Sequence, residues 1–228
     1  MVALKINWKY CLAFYCLTML YSSLHELTHH FVGYVVCGEW GYKTFNYFST
    51  ACEASPITFI ATYAGPIFTF TMMWVGAYFL KRKSSSPFQR QLSFALIFAQ
   101  MPLQRMVMCF FKTNDEYYAS SQIFGHTALV YWLVILSIWV CCVPPLITAY
   151  KAIKNKNRIA WFLFYAFLFP YLLWGPIFVL LEYLLVNKQV MNGTVIGIAN
   201  LFILNEVITV VGYLLTKNYF NTEVMVTE

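Results

Sequence analysis

The chain has 228 residues, of which 61% are hydrophobic, 20% aromatic and only 11% charged, with a formal net charge of +6. A water-soluble domain of this length carries about 25% charged residues, so there is too little polar surface to cover a soluble globule, and the bilayer is the expected solvent. The basic excess sits between hydrophobic segments with no soluble domain to present it. That argues against a nucleic-acid partner and makes the charges topology determinants.

Six hydrophobic stretches are each long enough to span at about 20 residues. They run from Trp8 to Val36, Pro56 to Leu80, Phe88 to Phe111, Ile123 to Tyr150, Ile159 to Val186 and Val195 to Leu215. The first lacks the short apolar core and small-residue cleavage site of a signal peptide and reads as a functional helix. The flanking charges alternate. Lys5 and Lys9, then Lys81, Arg82, Lys83 and Arg90, then Lys151, Lys154, Lys156 and Arg158, and finally Lys217 fall on one side. Lys43, Lys112 and Lys188, with Glu39, Glu53 and Glu116, fall on the other. Under the positive-inside rule the expectation is an all-α, polytopic transmembrane helix bundle of about six spans with both termini cytoplasmic. Residues 1–228 form a single integral-membrane domain, with metal-site helices at roughly 8–36 and 88–126 and C-terminal helices at 159–186 and 195–215. Most of the seven cysteines lie inside spans. Cys37 and Cys52 border the first outer loop, where a disulfide forms if that side is oxidising.

The first span carries His25-Glu26-Leu27-Thr28-His29. Histidines four residues apart project from one helix face, which lets two imidazoles share one Zn²⁺ with Glu26 beside them as general base. With 4 histidines in the chain, a chance occurrence of the pattern is expected at roughly a few per thousand. Ionisable residues inside a membrane are expensive and mark function. The competing reading is an interfacial polar cluster where the helix leaves the bilayer.

A third protein ligand is needed. Asp115 is the only aspartate, and the expected topology brings the outward-running third helix to Asp115 on the same side as the histidines. A cap at a helix start is its competing role. Glu116 and His126, both placed at the outer end of the fourth helix, are alternative ligands. His30 points about 100° away from His29 and reads as a supporting or substrate-facing group. Asn114 and Arg105 are candidates to support the oxyanion. Arg105 also has two structural readings, orienting Asp115 or Glu116 or pairing with Glu206. Asn205 and Glu206 read as a buried pair or polar cavity wall, and Glu182 as interfacial. Gly65-Pro66 is expected to interrupt the second helix, either as a simple kink or to free carbonyls for an extended substrate.

His25-Glu26-Leu27-Thr28-His29 together with Asp115 resembles the site-2 protease family of intramembrane zinc metalloproteases. Ala64-Gly65-Pro66-Ile67-Phe68-Thr69 resembles that family's Ala-Gly-Pro element, with Thr69 where the family has asparagine. Asn114-Asp115-Glu116 stands where the family has aspartate-glycine. The resemblance implies His25, His29 and Asp115 as ligands of one zinc ion per chain and Glu26 as the catalytic base.

The function expected from the sequence is hydrolysis of peptide bonds in membrane-anchored proteins or peptides, with the lipid bilayer as surroundings and the metal toward the non-cytoplasmic side. The alternative is a transporter or metal-handling protein that uses the His and carboxylate cluster as an ion site. The near absence of extramembrane mass suits a bacterial inner membrane. Asn192-Gly193-Thr194 is a glycosylation sequon usable only in a eukaryotic secretory route.

Overall fold

The computed structural model describes residues 2–4 and 6–221; Lys5, counted above among the basic N-terminal residues, lies outside the described residues. Among these the regular structure is almost entirely helical: α1 (Trp8–Cys37), α2 (Phe59–Lys81), α3 (Pro87–Ala99), α4 (Pro102–Met108), α5 (Asp115–Phe124), α6 (Ala128–Ala152), α7 (Arg158–Leu163), α8 (Phe169–Val186) and α9 (Asn200–Thr216). Two short strands, β1 (Thr194–Val195) and β2 (Ile198–Ala199), form an antiparallel hairpin. Five helical stretches are long and apolar enough to cross a membrane: 59–81, 87–124, 128–152, 158–186 and 200–220. Their outward surfaces carry exposed Leu129, Leu136, Leu172, Val179, Ile208 and Leu215, an apolar exterior that suits lipid rather than water.

α1 is not among the five. At 30 residues it reaches about 45 Å at 1.5 Å per residue, but Ser22, Ser23, His25, Glu26, Thr28, His29 and His30 make its second half too polar by composition alone. It is the central helix, packed against α2, α3, α8 and α9, so its neighbours cover its polar groups. The Asn7 side chain caps its start by accepting from the Tyr10 N–H, and Gly38 ends it in the left-handed region at φ 75°. Its first half is aromatic core: Tyr10 and Phe14 are fully buried, with the Phe14 ring 4.6 Å from Phe169. Polar chemistry is thereby confined to the second half.

The expected third helix, Phe88 to Phe111, is broken. Ser86 and Gln89 form a capping box with Pro87 at the first turn, but α3 stops at Ala99. Met101 takes φ 50° and ψ 54° ahead of Pro102, because a residue before proline is pushed out of the right-handed helical region. α4 then ends in a single 3₁₀ turn, Cys109–Phe111. Lys112 at φ 59° and extended Asn114 redirect the chain into α5. The fourth expected span begins only at Ala128, after Gly125 closes α5. The fifth is one helical stretch with a π turn at Phe164–Leu168, just before Pro170, whose missing N–H and bulky ring disfavour a regular helical turn. The second helix is not interrupted: α2 runs through Pro66.

Backbone pairing shows which segments share an end. Val2 bridges Ile153, Gln91 donates to the Ala3 carbonyl, and the Lys9 ammonium sits over the Tyr219 ring. The N-terminal segment, the α2–α3 and α6–α7 turns and the end of α9 therefore gather together. At the opposite end, Lys43 in the α1–α2 loop extends the β1–β2 hairpin, its N–H donating to Gly197 O at 2.9 Å and its carbonyl accepting from Ala199 N at 3.2 Å. Gly197 has φ 76°, and a side chain there would place its Cβ 1.7 Å from Gly41 O, so only glycine permits that crossing. Cys37 and Cys52 form a disulfide across the base of the same loop.

Candidate metal centre

The i, i+4 spacing on α1 puts His25 and His29 on one face, 7% and 1% exposed, with their Nε2 atoms 3.1 Å apart. Asp115, the first residue of α5, places Oδ2 3.4 Å from His25 Nε2 and 3.6 Å from His29 Nε2. A tetrahedral ion with bonds of about 2.1 Å holds its ligand atoms about 3.4 Å apart. The three atoms therefore trace one face of such a tetrahedron, and this His25, His29 and Asp115 group could hold a metal ion.

The other ring nitrogens are engaged too, which leaves the His29 Nε2 lone pair for a metal, while Arg105 Nη2 lies 3.3 Å from His25 Nε2. His29 Nδ1 donates to the Ala61 carbonyl at 2.8 Å, and His25 Nδ1 lies 2.9 Å from Thr69 Oγ1. Second partners of this kind fix ring orientation and tautomer in metal sites. Phe48, from the α1–α2 loop, stacks flat on the His29 ring at 4.5 Å. α2 comes this close only because residue 65 is glycine: a Cβ there would lie 2.3 Å from His29 Nε2. Gly65 is thus buried against the imidazoles, and Pro66 is buried beside it. Ala61 and Thr69 recur at i−4 and i+4 from Gly65, so the three small residues form one face of α2 that admits both rings.

Glu26 lines a cavity of about 280 Å³ together with His25, Thr69, Arg105 and Asp115. Lys43 is fully buried, its ammonium 3.7 Å from Glu26 Oε2 and over the Phe202 ring at 4.1 Å. Burial pulls that ammonium down to about 8, opposed by the attraction of Glu26, Glu206 and Glu182. Nothing in the sequence separates Lys43 from an ordinary loop lysine; only the pairing of its loop with the β1–β2 hairpin buries it.

The alternative ligands go elsewhere. Glu116 lies in α5, where its oxygens take Arg105 Nη1 at 3.3 Å and Asn114 Nδ2 at 2.7 Å. Arg105 therefore pairs with Glu116 and not with Glu206. Its Nη2 also reaches His25 Nδ1 at 3.0 Å and Thr69 Oγ1 at 3.4 Å. His126 is exposed in the α5–α6 turn, apart from the other histidines, with Tyr117 as its ring neighbour. His30 turns away to donate from Nε2 to Ile196 O at 2.9 Å and stacks on Trp40, so it supports the hairpin. Glu206 accepts from Ser23 Oγ and Asn205 Nδ2. Glu182 is not merely interfacial: it accepts from Thr44 Oγ1 and the Phe45 N–H, tying the α1–α2 loop to α8.

Comparison with known protein families, characterised proteins and solved structures finds no match.

Proposed function

We propose that this protein is an intramembrane zinc metallopeptidase acting on membrane-anchored proteins or peptides. The observation that carries the reading is the convergence of His25 Nε2, His29 Nε2 and Asp115 Oδ2 at 3.1–3.6 Å, beside Glu26 in a polar cavity walled by apolar helices. Two imidazoles and one carboxylate with a neighbouring glutamate are the donor set of hydrolytic zinc sites. The resemblance of the same residues to the site-2 protease pattern points the same way.

A zinc ion held by these three side chains supplies the Lewis acidity that makes water nucleophilic near neutral pH. Glu26 accepts the proton of the attacking water and returns it to the leaving nitrogen. Thr69 and the Ala61 carbonyl hold the two rings in place. Arg105, anchored by Glu116 and lining the cavity, is placed to draw charge from the scissile carbonyl oxygen.

In this reading α1 is the sixth span, its polar half shielded by α2, α8 and α9, and both termini are cytoplasmic. The basic residues collect at the end where Val2 meets Ile153, which supports that orientation. The metal then lies toward the non-cytoplasmic side, and the Cys37–Cys52 disulfide fits an oxidising compartment there. A bacterial inner membrane satisfies both conditions.

Glu26→Gln tests the reading. The purified variant should keep about one zinc per chain while peptide cleavage falls by about 10²–10⁴-fold. Unchanged cleavage removes Glu26 as the base. Exchangeable zinc with ion flux in vesicles replaces the peptidase with a transporter.

A further inference from the structure

Three residues that line the cavity of Glu26 and Asp115 each carry a buried polar atom with no hydrogen-bond partner: Gln100 Nε2, Asn114 Oδ1 and Trp174 Nε1. Gln100 and Asn114 are only 5% and 9% exposed. Roughly nine in ten buried polar groups find a partner within a fold, so three orphans among the residues lining one cavity point to a missing partner.

Each is held in place from a different wall. Gln100 stands at the break between α3 and α4, turned by left-handed Met101. Asn114 spends its amide N–H on Glu116 at 2.7 Å, which fixes the orientation of its side chain and leaves the carbonyl oxygen unpaired. Trp174 projects from α8, its ring stacked on Phe178 at 4.2 Å. The residues around the cavity thus carry two unpaired donors and one unpaired acceptor. An anion would satisfy the donors and leave Asn114 Oδ1 unpaired; a cation would do the reverse. A peptide main chain offers a carbonyl and an N–H on every residue. In a helix those groups are already paired, whereas an extended segment leaves them free.

We infer that Gln100, Asn114 and Trp174 form a subsite that binds the main chain of an extended, unwound peptide segment next to Glu26. The inference rests on the peptidase reading for the class of ligand, and it assigns substrate contact to the α3–α4 break and α8 rather than to Gly65, which is packed against the histidines, and Pro66 beside it.

The test uses the zinc-loaded Glu26→Gln protein in lipid nanodiscs, so that binding is read without turnover. The probes are a fluorescein-labelled octapeptide of alternating leucine and alanine, its N-methylated analogue, and the same sequence locked helical by a hydrocarbon staple. The extended peptide should bind, the stapled one should not, and N-methylation should weaken binding about tenfold. Gln100→Leu and Trp174→Phe should each weaken it about tenfold at unchanged zinc content. The inference is overturned if the extended peptide fails to bind, if the stapled form binds equally, or if both side-chain variants keep the parent affinity. The N-methyl comparison needs no variant, so a variant that does not fold leaves the test intact. Cleavage by the unmodified protein is scored separately. Peptide binding with these losses but no cleavage defeats the peptidase reading alone, and cleavage without these losses defeats the subsite alone.

Discussion

Lys43 Nζ lies 3.7 Å from Glu26 Oε2, and the lysine side chain is wholly enclosed. A loop residue from outside the helical bundle therefore supplies the counter-charge for the carboxylate that neighbours His25 in sequence and shares its cavity. Replacing one partner of a buried pair leaves the other uncompensated. On the proposed peptidase reading, Lys43→Met should keep zinc near one per chain and lower kcat roughly tenfold, since Glu26 as proton acceptor would lose its counter-charge. Metal analysis and initial rates on the same preparation check both halves.

The same lysine gives a pH signature. Its folded-state value of about 8 lies below the ordinary 10.5, so between those values the unfolded chain binds more protons than the folded one. Folding stability from this group therefore rises with pH across roughly 8 to 10.5, while the ion pair with Glu26 is lost above about 8. Thermal melting in detergent should shift upward over that window in the unmodified protein while cleavage declines. In Lys43→Met this component of the upward shift should be absent.

The proposed ligand set separates Asp115 from its neighbours. Asp115→Ala removes one of the three converging atoms and should drop zinc occupancy below about a tenth under mild chelation. Glu116→Gln and His126→Ala should retain near-stoichiometric metal, because Glu116 is engaged by Arg105 and Asn114 and His126 stands apart. Elemental analysis after dialysis distinguishes them. Zinc loss in Glu116→Gln alone would reassign the third ligand.

Gly65→Ala adds a methyl directly against the two imidazoles. Its Cβ would meet His29 Nε2 at 2.3 Å and His25 Cε1 at 2.6 Å, so α2 must retreat or the rings must turn. An overpacked core of this kind costs about 1–3 kcal/mol, and zinc retention should fall with it. A variant with normal melting temperature and normal metal content would contradict that geometry.

The Cys37–Cys52 bridge closes a loop of 15-residue separation, worth about 3 kcal/mol by chain entropy. The loop carries both Lys43 and Phe48, which meet Glu26 and His29. Cys37→Ser with Cys52→Ser should lower the unfolding midpoint and reduce cleavage, with zinc affinity affected less than turnover. Denaturation with and without dithiothreitol on the unmodified protein gives the same comparison.

Much of this was legible in the residues themselves. Hydrophobic runs near 20 residues announce spanning helices because the bilayer leaves the backbone no other partner, and an i, i+4 histidine pair with an adjacent glutamate fixes its own local geometry. Pro102 also carried the signal for the break after Ala99, through its exclusion of helical Met101, although the apolar run around it concealed the turn. What the sequence alone could not determine was every relation between distant segments. Tertiary structure alone separated Asp115 from Glu116, since adjacent helical residues point about 100° apart and only the packing of α5 against α2 aims one of them at the histidines. It likewise turned Lys43 inward, sent His30 to the hairpin and gave Arg105 to Glu116. Helical periodicity governs neighbours within a turn or two; which side chains meet across the bundle depends on how closely helices approach, and here that was set by Gly65, Met101 and the loop clamped by Cys37 and Cys52.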